Sequence, residues 1–188
     1  MNFHHCYKSP LGELLLTGKE KGDHINLTGI YFENHRHVDV CAIKENSCLN
    51  PEKFSETIGC LDNYFKTGRI NPKNLSKDLP KMLLSGTDFQ KAVWNQLLKI
   101  PSSATTTYSN LAIKLGKPNS QRAVGSAVGK NPISILIPCH RVLGSGGKLT
   151  GYAGGLTRKM WLLEHEQRNL KNESFAEICS SAPKAAQV

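Results

Sequence analysis

The sequence predicts an α+β fold in two units, a small mixed amino-terminal unit and a mostly helical carboxy-terminal one. Three observations carry this. Runs of β-favouring and apolar residues at 14–17 and 25–32 are separated by the polar, glycine-containing stretch 18–23, which reads as a hairpin. Helix starts and stops recur from residue 50 and again, in close series, from residue 87. Charge is also segregated: residues 1–85 carry 11 Lys/Arg against 10 Asp/Glu, whereas residues 86–188 carry 13 against 5.

In chain order, the hairpin is followed by an expected extended segment near 37–43. A helix then starts at Asn50-Pro51, an N-cap with proline at the first helical position. Phe54, Ile58, Leu61, Tyr64 and Phe65 recur at helical spacing until Gly68 stops it. Residues 69–85, with Pro72 and Pro80, read as a connection, and the boundary between domains is placed at 85. The first unit shows no chemistry of its own, which makes it a scaffold.

Thr87 and Gln90 form a capping box. Behind it Phe89, Val93, Leu97 and Leu98 make an apolar face with Trp94 beside it, and Pro101 closes the helix. A short helix from Thr107-Tyr108 to Gly116 and a third from Ser120 to about Lys130 make a helix-turn-helix candidate. The third helix is lined with Ala123, Gly125, Ser126, Ala127 and Gly129. Each interior glycine costs a helix about 1 kcal/mol relative to alanine, so some surface must approach its backbone closely, either protein or a DNA groove. Arg122 stands at its start. Further on, 144–147 is a glycine-rich loop and 151–156 a glycine-rich wall, neither in a phosphate-loop context. Thr157 caps a helix through Trp161 to Glu166, and 169–188 reads as a disordered tail.

The chain of 188 residues is 39% hydrophobic and 21% charged, a soluble and globular balance. It has no apolar run long enough to span a membrane and no signal-like amino terminus, so a cytoplasmic protein, or one on the chromosome, is expected without a membrane partner. Its six cysteines show no framework spacing and read as free thiols. His4, His5 and Cys6 are residue types that can bind a metal, but four well-placed ligands are not apparent, and no metal or other cofactor is expected. The net charge is +9, and residues 89–163 hold ten basic side chains and no acid, a one-signed stretch that attracts polyanions.

The chemistry concentrates in residues 131–142, where an Ile/Leu run leads into Pro138-Cys139-His140-Arg141-Val142. A free thiol titrates near ~8.5 and needs cationic or hydrogen-bonding neighbours to act as a nucleophile at neutral pH. A Cys-His pair alone is more often a buried cysteine beside a solvated histidine. Here Asn131-Pro132 precedes the motif and Gly151-Tyr152-Ala153-Gly154-Gly155-Leu156 follows it. Together they resemble the active-site signature of the O6-alkylguanine-DNA alkyltransferases, also called methylated-DNA–protein-cysteine methyltransferases, with the resemblance extending over 86–166.

The resemblance implies a ribonuclease-H-like amino-terminal domain, 1–85, and a winged helix-turn-helix alkyltransferase domain, 86–168. It implies double-stranded DNA bearing alkylated bases as partner, a monomer, and irreversible single-turnover transfer from O6-alkylguanine to Cys139, with O4-alkylthymine left open. Cys139, water, His140 and Glu166 would form a proton relay, Asn131 would hold the turn, and Tyr108 would protonate the departing guanine. Arg122 would prop the vacated stack, with Ala123, Gly125, Ser126, Ala127 and Thr107 against DNA. Val142, Tyr152, Ala153 and Gly154 would line the base. This chain has Ser102-Ser103-Ala104-Thr105 where relatives often carry Tyr-Gly-Glu-Thr, in a loop that borders DNA. The alternatives are a non-catalytic lesion-binding relative, a winged-helix regulator and a thiol protease. The first usually lacks the cysteine, and the basic segment argues against the last.

Overall fold

The computed structural model describes residues 1–22, 24–70 and 79–181, of which 170–181 are described as helical backbone only. The strands β1 (Asn2–Ser9), β2 (Gly12–Lys21) and β3 (His24–Phe32) form an antiparallel meander. Gly12, at φ 101°, closes its first turn. A short β4 (Cys48–Leu49) adds parallel to β1, giving the order β3-β2-β1-β4. Leu14, Leu16, Ile30 and Phe32 are buried, while β1 is obscured in the sequence by His4, His5 and Cys6, which break its apolar alternation.

The extended segment expected near 37–43 is instead helix α1 (Val40–Glu45). Asp39 accepts from the Ala42 amide at 3.0 Å, and this cap outweighs the β preference of Val38 and Val40. The helix expected at Asn50-Pro51 begins as a 3₁₀ turn, Glu52–Phe54, with Asn50 Oδ1 accepting from Lys53 N, and continues as α2 (Ser55–Thr67) to Gly68 at φ 67°. Of the expected connection 69–85, residues 71–78 lie outside the described residues. Residues 81–83 run along β3, where Leu27 N donates to Lys81 O (2.8 Å) and Leu83 N to Leu27 O (2.9 Å). The segment therefore covers a sheet edge that would otherwise stand unpaired.

Helix α3 (Asp88–Leu97) starts with the Thr87–Gln90 capping box, and α4 (Tyr108–Lys114) and α5 (Gln121–Gly129) follow at the expected positions. Trp94 is buried and donates from Nε1 to Ala127 O at 2.9 Å, tying α3 to α5. A two-stranded parallel pair, β5 (Thr106–Thr107) with β6 (Val142–Leu143), joins the start of α4 to the end of the cysteine motif. Helix α6 spans Leu156–Ser181, so Thr157 lies inside its first turn rather than capping it. It also replaces much of the disordered tail expected over 169–188, because no glycine or proline interrupts 157–181; residues 182–188 lie outside the described residues. No described helix is long and apolar enough to cross a membrane.

The two units share one core, with Leu61 and Tyr64 of α2 in the same cluster as Ile137 and Leu162. β3 also carries the cysteine motif directly: Ile30 N donates to Pro132 O (2.9 Å) and Ser134 N to Ile30 O (3.1 Å).

Candidate active site

Two tight turns deliver the cysteine. Leu136 N donates to Ser134 O across Ile135, which sits at φ 72°, and Cys139 N donates to Ile137 O across Pro138 at φ −80°, ψ 64°. The second is an inverse γ-turn for which proline is preset, whereas a β-branched residue at positive φ is strained. The strain persists because Ile133, Ile135, Leu136 and Ile137 are fully buried. Asn131 spans the turns, accepting from Ile133 N (3.1 Å) and donating from Nδ2 to Ile137 O (2.8 Å) and Cys139 Sγ (3.0 Å). Cys139 then opens a 3₁₀ turn, Cys139–Arg141, that directs His140 inward.

His140 and Glu166 are both buried, and His140 Nε2 lies 2.8 Å from Glu166 Oε1. Glu166 also accepts from Arg141 Nη2 (2.8 Å) and Nε (3.0 Å), from Ser103 N (2.8 Å) and from Tyr64 Oη (3.0 Å). Burial alone would raise its pKa, but the hydrogen bonds and charges of His140 and Arg141 outweigh it and hold the carboxyl at about 2. An ionised carboxylate only accepts, so His140 Nε2 carries the proton and Nδ1 presents a lone pair. Burial keeps the imidazole neutral, with its pKa below the ordinary value. Nδ1 has no hydrogen-bond partner among the described residues.

Burial likewise raises the pKa of Cys139. The Asn131 amide, the Lys159 charge and the backbone amides of Cys139 and His140 oppose it, each favouring the thiolate. Lys159, itself fully buried, donates from Nζ to Val142 O (2.5 Å), Thr150 O (2.6 Å) and Gly151 O (3.3 Å). Its desolvation brings it to about 8, with Cys139 pulling the other way.

Cys139 is only 6% exposed, yet it lines a cavity of about 360 Å³ with Tyr108, Gly125, Ser126, Val128, Gly129, Lys130, Gly151, Tyr152 and Ala153. Nucleophile, tyrosine, glycine-bearing helix and glycine loop thus meet in one space. The burial pattern of α5 explains its small residues. Val124, Ala127 and Val128 are buried, Arg122, Ala123 and Ser126 are exposed, and Gly125 faces Tyr108, whose Cδ1 would lie 3.7 Å from an added Cβ.

Three of the residues expected at DNA or at the base, Ala127, Val142 and Gly154, are buried. Ala127 packs inward, with its carbonyl held by Trp94. Val142 has both backbone groups engaged, its N–H by Cys139 O and its carbonyl by Lys159. Gly154 lies outside the cavity, where an added Cβ would come within 2.5 Å of the Phe32 ring. Thr107 caps α4, accepting from Asn110 N.

Known proteins are similar to this chain in sequence and fold. Residues 2–75 match the family model described as 6-O-methylguanine DNA methyltransferase, ribonuclease-like domain, and residues 88–168 match 6-O-methylguanine DNA methyltransferase, DNA binding domain. The chain belongs to the O6-methylguanine DNA methyltransferase family. It is 41% identical over 170 residues to the methylated-DNA–protein-cysteine methyltransferase of Methanosarcina barkeri, covering 90% of this chain and 99% of that one. It is 39% identical to that of Mycobacterium leprae, covering 88% and 94%. A crystal structure of Mycobacterium tuberculosis OGT in complex with DNA is similar at a TM-score of 0.73 and 36% identity, covering 89% of this chain and 94% of that one.

Within this methyltransferase several participants escape the sequence reading. Lys159 looks like an ordinary helix lysine, and Arg141 like a solvated neighbour of His140, yet both are buried. Arg36 and His37, from the unit expected to be a scaffold, line the cavity, and Arg36 N donates to Ala153 O at 3.4 Å. Ser103, from the loop expected to border DNA, sits at φ 66° and holds Glu166 through both its amide and its hydroxyl.

Proposed function

We propose that this methyltransferase removes alkyl groups from O6 of guanine in duplex DNA by moving them onto Cys139, once per molecule. The observation that carries the reading is the thiol at the wall of the 360 Å³ cavity, with the Asn131 amide 3.0 Å from Sγ and the ionised Glu166 beside His140. The exposed Arg122 at the start of α5 fills the space that the base vacates, which offsets the few kcal/mol that extrusion costs. The base enters between α5 and residues 151–153.

The thiol proton passes through a water to His140 Nδ1, whose lone pair is kept free by the Nε2–H bond to Glu166. The sulfur electron pair forms the S–C bond as the C–O6 bond breaks, and the electrons stay on guanine. Tyr108, whose pKa is raised by burial, stays protonated near neutral pH and gives a proton to the ring as that charge develops. A thioether has no easy leaving path, so the molecule is spent. No cofactor enters these steps. We place the domain boundary near residue 85 and take the active form as a monomer on the chromosome or in the cytoplasm.

The test is stoichiometry. With duplex containing labelled O6-methylguanine in excess, one methyl group per chain should become protein-bound and guanine should be restored, with none bound to Cys139→Ser. Continued release of methyl groups into solution would refute the reading. Binding of the lesion without loss of its methyl group would favour a non-catalytic lesion binder.

A further inference from the structure

Tyr64 belongs to α2 of the amino-terminal domain, is fully buried, and is 102 positions from Glu166 in sequence. Its hydroxyl donates to Glu166 Oε1 at 3.0 Å, the same oxygen that accepts from His140 Nε2. The ring stands edge-on to His140, with centroids 6.5 Å apart, and its backbone carbonyl accepts from His165 Nε2 at 3.0 Å. Both ends of the residue are therefore fixed by α6, and its ring lies against the cysteine motif. A buried phenol can satisfy its hydroxyl on any nearby carbonyl, whereas this one ends on the carboxylate that orients the relay's base.

We propose that Tyr64 is a positioning residue for alkyl transfer, supplied by the amino-terminal domain, which sets the orientation and basicity of His140 through Glu166. The inference rests on His140 and Glu166 acting as the proton relay. Donation from Tyr64 draws charge away from Oε1. Without it the carboxylate acts more strongly on His140 and favours the imidazolium, and Oε1 loses a constraint on its direction.

The test uses the full chain, comparing Tyr64→Phe, Glu166→Gln and the unaltered protein. Single-turnover transfer from an O6-methylguanine duplex, DNA affinity and the NMR titration of His140 are measured for each. Tyr64→Phe should slow transfer about tenfold, as expected for losing a hydrogen bond to a charged group, with DNA affinity kept within about twofold of the unaltered protein. It should raise the pKa of His140. A merely structural tyrosine would leave that titration in place. Should Tyr64→Phe fail to fold, 3-fluorotyrosine at position 64, a stronger donor, should lower the pKa of His140 instead. Unchanged transfer in Glu166→Gln would defeat the relay itself. Slow transfer in Glu166→Gln, with an unmoved His140 in the Tyr64 variants, would overturn the role of Tyr64 alone.

Discussion

Lys159 is a buried ammonium held by three carbonyls and electrostatically coupled to the nucleophile. Replacing it by methionine keeps the length and removes the charge, so the thiol should become harder to ionise. Each unit of upward shift costs about tenfold in thiolate below the pKa. We expect Lys159→Met to slow transfer by at least about tenfold near pH 7, with the deficit shrinking as pH rises. The pH–rate profile checks this, and a loss equal at every pH would assign Lys159 to structure alone. Asn131→Asp should act in the same direction by placing a carboxylate where an amide now donates to Sγ. Cys139 and His140 stand out in the sequence because the Pro-Cys-His-Arg-Val motif is specific, and Tyr108 is singled out by the family resemblance around it. Lys159 does not stand out, since a helical lysine is normally solvated and only the fold shows three carbonyls around this one.

Helix α5 turns three faces to three environments, with its valines in the core, Arg122 and Ser126 in solvent and Gly125 toward Tyr108. The small residues signalled a close approach in the sequence, but helical periodicity alone could not say which of them faced protein and which faced DNA. An alanine at 125 meets no hard contact and gains helix propensity. Gly125→Ala should therefore raise stability by up to about 1 kcal/mol, readable in a thermal melt, if the backbone alone decides. It also narrows the cavity, so transfer from benzyl-sized groups should fall more than transfer of methyl. Arg122→Ala should leave transfer from an already unpaired lesion nearly intact and slow it in a fully paired duplex. Equal slowing on both substrates would count against a role in extrusion.

At the scale of the molecule, the amino-terminal sheet carries the active site as well as preceding it. β3 hydrogen-bonds to Pro132 and Ser134, Tyr64 reaches Glu166, and Arg36 and His37 line the cavity. The sequence showed two units and most helix positions through caps, glycine stops and apolar spacing. It could not show the shared core, because contacts such as Tyr64 to Glu166 join residues far apart in the chain and leave no local pattern. This sharing makes acid stability a property of the whole chain. The pKa of His140 is lowered by burial, so its contribution is fully present above its unfolded value near 6.5 and is lost as pH falls through the lowered value. Glu166, held at about 2 against an ordinary 4.5, adds a second loss between those values. The melting temperature should thus decline below about pH 6.5, and His140→Gln should flatten the upper part of that decline. The central claim, that one poised sulfur receives the alkyl group, is tested most directly by peptide mass mapping after incubation with an O6-methylguanine duplex. The peptide bearing Cys139 should gain one CH2 and every other cysteine peptide should keep its mass. A methyl group found on another residue, or an unchanged Cys139 peptide alongside repaired DNA, would contradict it.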